Sequence, residues 1–349
     1  MKNTLCQKLC TASQKKILLA ATGGTIASVS SCHGLLPGLD AAQLLDYIPK
    51  ELHEKYCIDA IQICNIDSTN ITPAHWVQIV ETIREHYSSY DGFVICHGTD
   101  TMAYTAAALS YMIQNSKKPI VITGSQKPIL QNPSDAQTNL SDAVLYAADD
   151  ASQDVSLVFN GSVIAGTRAK KTFAHSFHAF SSVNFPLLAR IRDGYILRYI
   201  SAPPFSGPVR FTTAINSNIA VLKLIPGTGP ELLEFLFDNY DGLIIESFGV
   251  GGIPDRLLQV FSEAMHYWMS HGKIAVMATQ VVNEGSNMSV YAVGEKVKTD
   301  FDLLETYDMT FEAAAAKLMF LLGKYKNDYE NIRNSFYIPV NYDITFVPK

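Results

Sequence analysis

Short apolar runs alternate with stretches of helical periodicity along most of this chain. The runs are 17–21, "DGFVICHG" (91–98), "KPIVITGS" (118–125) and "VSLVFNG" (155–161). They lack in-and-out alternation, so they predict strands buried on both faces of a parallel sheet. Between them the period changes. Thr72 precedes Pro73, a favoured first helical residue, and Trp76, Ile79, Val80, Ile83 and Tyr87 then fall on one face. Two more helices are expected at about 101–113 and 139–148. Strand and helix in alternation predict an α/β fold with a doubly wound parallel sheet.

The character changes near residue 200. "SAPPFSGPVRFTTAINSN" (201–218) carries Pro203, Pro204, Gly207 and Pro208, which exclude helix and predict a linker. Beyond it the alternation resumes on a smaller scale. "IAVLKLIPG", "DGLIIESFG" and "KIAVMATQ" predict strands, "PELLEFLFDNY" and "RLLQVFSEAMHYWMSHG" helices, and a last helix begins near Thr310. The expected organisation is a larger N-terminal α/β domain (1–200), a linker (201–216) and a smaller C-terminal α/β domain (217–349). A chain of 349 residues is long for a single core, which agrees with two domains.

Composition narrows the class. Hydrophobic residues make up 48% and charged residues 17%, which is ordinary for a globular protein. Net charge is −6, so no basic field is present to hold nucleic acid or an acidic membrane surface. The N-terminal 16 residues carry lysines but no sustained apolar core, so no signal peptide is expected. No run approaches the ~20 apolar residues of a membrane span. The six cysteines all lie before residue 100 and form no zinc-like spacing. No metal is expected, and reduced thiols in a cytoplasmic protein are the simpler reading.

Ligands of such sheets bind beyond the carboxyl ends of the strands. Thr22-Gly23-Gly24-Thr25 follows the first run, His97-Gly98-Thr99-Asp100-Thr101 the second and Thr123-Gly124-Ser125 the third. Asn160-Gly161 follows the fourth, with Arg168, Lys170 and Lys171 further on. Each has a plain structural reading. Gly23-Gly24 can be a tight turn, Thr99-Asp100-Thr101 a helix cap, Lys171 a surface lysine and His97 a packed histidine. As a phosphate loop the first segment is poor, since its glycine spacing fits neither the P-loop nor the dinucleotide fingerprint. The chain next enters "SVSSCHGLLPGLD" (28–40), which predicts a mobile flap rather than a long helix.

"ATGGTIAS", "DGFVICHGTDTMAYTAAALSYM" and "KKPIVITGSQKP" together resemble the bacterial-type L-asparaginase family. "TGGTI" and "HGTDTM", in order and about 75 residues apart at two strand ends, are far more specific than either alone. The likeness extends into the second domain at "SFGVGGIP" (247–254) and is nearest the cytoplasmic, type I branch. A subunit of an archaeal-type tRNA-dependent amidotransferase shares the catalytic domain but has an additional N-terminal domain, for which no room is expected before the first strand.

The resemblance implies Thr25 as nucleophile, with Thr99, Asp100 and Lys171 as a second hydroxyl–carboxylate–lysine set. Lys171 is chosen over Lys170 because it stands third after Arg168, in the family's R-x-x-K. Asp67, Ser68 and Thr69 match the family's substrate-binding turn, where Thr99 and Asp100 also contribute. The substrate implied is a small molecule, L-asparagine. Asp100 would meet its ammonium and Ser68 its carboxylate, with backbone N–H groups around Thr99 stabilising the oxyanion. No cofactor or metal is implied, and a homo-oligomer, dimer or tetramer, is. Two positions depart from the family. Leu35 stands where many members carry a flap tyrosine, and Asn70 where an aspartate is usual after the serine.

Overall fold

The computed structural model describes residues 13–31, 34–205, 207–290, 292–301, 303–326 and 328–346. Two compact units divide between Thr213 and Ala214. The first is built on an eight-stranded sheet. Its order across the sheet is Cys57–Ile66, Lys16–Gly23, Gly92–Cys96, Pro119–Thr123, Asp154–Phe159, Ser162–Ala165, Ala189–Arg192 and Tyr195–Arg198. The first five are mutually parallel. The last three join antiparallel, two of the joins as short hairpins and the middle one, Ser162–Ala165 with Ala189–Arg192, through a longer connection. Gly92–Cys96 and Pro119–Thr123 are buried throughout, as their unbroken apolar runs demand.

The helices follow the same logic. Pro73–His86 buries Trp76, Ile79, Val80 and Ile83 on one face, and Thr72 with His75 forms the box that starts it. Met102–Met112 is apolar all round and is almost wholly buried. Ala136–Ala147 is the third. The chain order of the parallel strands across the sheet is 2-1-3-4-5. The winding therefore reverses between Lys16–Gly23 and Gly92–Cys96, and that switch point is where such sheets bind ligands.

Three features differ from expectation. Where a mobile flap is expected, Ser28–Ser31 pairs antiparallel with Gly34–Pro37, and the backbone of Leu35 lies opposite Ser30. Within the expected linker, Arg210–Phe211 pairs with Ile113–Gln114. Cys57 is disulfide-bonded, against the expectation of reduced thiols, while Cys64 and Cys96 are free. Pairing depends on the distance between Cα atoms, which cysteine spacing in the chain does not report. Cys6, Cys10, Cys32 and residues 1–12, where no leader is expected, lie outside the described residues.

The second unit carries a four-stranded parallel sheet, Ile219–Lys223, Gly242–Ser247, Ile274–Thr279 and Leu304–Glu305 in that order. Leu233, Phe237, Leu257, Phe261 and Trp268 from its helices pack with Leu243, Ile245 and Met277 of the sheet. No helix among the described residues is long and apolar enough to cross a membrane.

Candidate active site

The switch point brings two turns together. Strand Lys16–Gly23 ends at Gly23, Gly24 follows, and Thr25 opens a single 3-10 turn, Thr25–Ala27, whose Ile26 and Ala27 are buried. Gly24 N–H donates to Ile66 O (3.0 Å), and the Ser28 hydroxyl donates to Gly24 O (3.0 Å), so the turn is held from both sides. Gly24 has φ +83°, and a Cβ on it would sit 2.3 Å from Gly98 N. A Cβ on Gly98 would sit 2.6 Å from Ser68 Oγ. Only glycine permits backbones this close. Three segments, 23–25, 68 and 98–100, therefore meet at one point.

Thr25 is half-buried. Among the described residues neither its hydroxyl nor that of buried Ser68 has a hydrogen-bond partner, so both can serve a bound molecule. Thr99 is buried, and Lys171 Nζ donates to its hydroxyl oxygen at 2.7 Å and to Asp100 Oδ1 at 2.6 Å. The Asp100 side chain is 56% exposed, so its second oxygen remains available. Lys171 ends the strand Ala169–Lys171, and neighbours on a strand project to opposite faces. Lys170, half-buried rather than solvated, is thereby excluded from the place Lys171 occupies.

The 67–70 turn has a divided role. Asp67 accepts Thr69 N–H at 2.9 Å, so its carboxylate caps the turn Ser68–Asn70. Ser68 O accepts the Thr101 hydroxyl at 2.8 Å, which fastens this turn to the Thr99–Asp100 turn. No described contact ties the Thr69 side chain to Thr99, Asp100 or Lys171. Asn70 donates its N–H to Asp67 O and is exposed.

His97 is part of the scaffold. It is fully buried, and Trp76 Nε1 donates to Thr105 Oγ1 (3.0 Å), which donates to His97 Nε2 (3.0 Å). His97 Nδ1 donates in turn to Gly98 O at 2.7 Å. Burial pushes the imidazole down to about 4, so the ring is neutral and holds the Gly98 turn.

One residue was not singled out from the sequence. Gln126 accepts from the Thr99 hydroxyl at 3.2 Å and donates to Ala174 O (2.9 Å) and Ser176 O (3.1 Å). Its position just past the strand Pro119–Thr123 was the available signal, but glutamine carries no motif of its own.

Residues 16–203 match the asparaginase N-terminal domain family, and 218–336 the glutaminase/asparaginase C-terminal domain. The chain is 36% identical over 321 residues to an L-asparaginase of Thermococcus kodakarensis, covering 91% of this chain and 95% of that protein. Against L-asparaginase 1 of Escherichia coli K12 it is 36% identical over 329 residues, 92% of this chain and 96% of the other. The solved structure of the thermostable L-asparaginase from Thermococcus kodakarensis superposes with TM-score 0.88, covering 95% of this chain and 100% of that one. With both domain families matched in order and the glycine-lined turns meeting at the sheet's switch point, this chain belongs to the asparaginase family.

Proposed function

We propose that this protein hydrolyses L-asparagine to L-aspartate and ammonia through a threonine acyl-enzyme. The observation that carries the reading is the Lys171 ammonium bonded to both the Thr99 hydroxyl and the Asp100 carboxylate, although Lys171 lies more than 70 positions further along the chain. Thr25 Oγ attacks the side-chain amide carbon, and its proton passes by way of the Lys171–Thr99 pair to the leaving nitrogen. The C–N bond breaks, ammonia departs, and water attacks the ester carbon to free aspartate and restore Thr25. Asp100 meets the substrate ammonium through its second oxygen, and Ser68 donates to the α-carboxylate. Leu35 cannot take a proton, so either Lys171 or another group does the work a flap tyrosine does elsewhere.

The same proposal includes assembly with copies of this chain as a dimer or tetramer. Tyr195 and Leu197 on the outermost strand of the large sheet, and Tyr199 just after it (73%, 46% and 61% exposed), support it. Sedimentation velocity tests it. The cytoplasm is the proposed setting. The Cys57 disulfide argues against it, because reducing compartments rarely keep structural disulfides. Thiol titration of denatured protein from cells quenched with an alkylating agent decides between them.

The direct test is ammonia release from asparagine and glutamine side by side. Wild type is expected to release it from asparagine, and folded Thr25→Ala to lose several orders of magnitude of turnover, as loss of a covalent route requires. Near-normal turnover in that variant removes Thr25 from the mechanism. Comparable turnover of glutamine replaces asparaginase with a relaxed amidohydrolase.

A further inference from the structure

We infer that Gln126 is a positioning residue that sets the direction of the Thr99 hydroxyl proton and joins the Lys171–Thr99 pair to the 174–176 turn. The inference rests on the function proposed above. A side-chain amide offers one acceptor and two donors, so which end faces which neighbour must follow from the partners. Gln126 Nε2 lies 2.9 Å from Ala174 O and 3.1 Å from Ser176 O, two atoms that can only accept. Reversing the amide would set its oxygen against both carbonyls. The nitrogen is therefore fixed on the 174–176 side, and the oxygen faces Thr99.

The direction of the next bond follows. An amide oxygen only accepts, so the single Thr99 proton points at Gln126 Oε1. A lone pair of Thr99 Oγ1 then faces Lys171, which must be the donor at 2.7 Å. The order of donation is Lys171 to Thr99 to Gln126. Donors and acceptors in such a chain polarise one another, so removing its last acceptor weakens the bond before it. In the resting enzyme the proton lies on the oxygen and away from the lysine. Thr99 can pass that proton on only by turning off Gln126, and Lys171, an ammonium at rest, can take it only after giving one of its own protons to the leaving nitrogen.

The glutamine itself is anchored from behind. Its backbone N–H donates to both oxygens of Asp135 (3.1 and 3.0 Å), and Lys127 N–H joins at 3.1 Å. Asp135 is buried and also accepts Asn139 Nδ2 at 3.1 Å, while the same amide reaches Gly124 O at 2.9 Å. The 124–127 turn thus rests on a buried polar network on the helix Ala136–Ala147 and the residue before it. Such a base suits a side chain that must hold one orientation.

Two measurements test this. Neutron diffraction from the deuterated wild-type protein, free of substrate, locates the Thr99 deuteron directly. Density between Thr99 Oγ1 and Gln126 Oε1 supports the inference, and a deuteron turned toward Lys171 or Asp100 overturns it whatever the enzyme acts on. The second is kinetic. Gln126→Met keeps the length and removes the acceptor and both donors. Its kcat on asparagine should fall about tenfold to a hundredfold, the size of one misdirected hydrogen bond in a proton-transfer step, with KM changed less than about threefold. The solvent deuterium isotope effect on kcat should rise. Turnover within about twofold of wild type, or a loss confined to KM, overturns the positioning role. If wild type itself releases no ammonia from asparagine, the proposed function fails instead, and the deuteron position alone decides the inference. It does so equally if the methionine variant does not fold.

Discussion

A single carboxylate can either read a substrate or only steer a lysine, and Asp100 has the geometry for both. One oxygen meets Lys171 at 2.6 Å, and just over half of the side chain is exposed. A charge-assisted contact to the substrate's α-ammonium is worth roughly 1.5–3 kcal/mol, or about one to two powers of ten in kcat/KM, with partial exposure favouring the lower end. Wild type should therefore strongly prefer asparagine over succinamic acid, which lacks the amino group. In Asp100→Ala that preference should shrink, because the variant loses more on asparagine than on the analogue. Measuring kcat/KM for both compounds on both proteins separates the roles: an unchanged ratio means that Asp100 only orients Lys171. What was legible here was residue type and order, since "TGGTI" and "HGTDTM" point to Thr25, Thr99 and Asp100. The contact with Lys171 was not, because motif order does not fix distance across a fold. The cap formed by Asp67 shows the converse: a motif residue can match and yet spend its charge on its own turn.

At the level of elements, the strands legible in the sequence were those buried on both faces. Gly92–Cys96 and Pro119–Thr123 are unbroken apolar runs and declare themselves. Cys57–Ile66 does not, because it is an edge strand with Asp59 and Gln62 among its apolar residues, and Asp59 is held by the Tyr90 hydroxyl at 2.9 Å. The pair Ser28–Ser31 and Gly34–Pro37 is not legible either, because its first strand is serine-rich and its second begins on a glycine. The turn after Gly92–Cys96 has a pH signature of its own. Burial holds His97 at about 4 in the folded protein, against about 6.5 for an exposed histidine. Between those values the unfolded chain binds the proton and the folded one does not, so stability falls as pH falls from about 6.5 to about 4, by about 3 kcal/mol. Burial also pushes Asp154 up to about 7 and Asp142 up to about 6. These raised carboxyls slope the other way, adding stability as pH falls, so the total curve is not diagnostic. The difference between wild type and His97→Gln is. The variant should be the less stable at pH 7, and the gap should narrow by about 3 kcal/mol by pH 4 in urea titrations. A gap independent of pH would mean that His97 titrates alike in both states.

On the scale of the whole molecule, each unit has its own buried core, and the second closes with a device no sequence pattern announced. Helix Phe311–Tyr325 starts at Thr310, whose hydroxyl caps Ala313 N–H, and carries Lys317 among alanines and leucines. The Lys317 side chain is 1% exposed and that of Asp343 0%, and they meet at 2.7 Å. Lys317 Nζ also donates to Ile338 O at 3.0 Å and lies over the Phe336 ring. One ammonium thus ties the returning tail, 336–343, to the helix. Burial lowers the lysine's proton affinity, and Asp343 opposes that shift. Periodicity places Lys317 inside a helix but cannot show that a carboxylate 26 positions later will cover it. Breaking one side of such a pair typically costs about 3–5 kcal/mol, whereas replacing both sides with apolar groups of similar volume is often close to neutral. Asp343→Asn should therefore destabilise the second unit, and Lys317→Met combined with Asp343→Leu should recover most of the loss. Hydrogen exchange gives the reading by region. In Asp343→Asn, peptides from 311–346 should exchange faster, while those from 92–101 and 168–173 keep their wild-type rates. Faster exchange in 92–101 as well would show that the two cores do not open separately. Equal loss in the single and double variants would show that the pair's hydrogen bonds matter more than its charge balance.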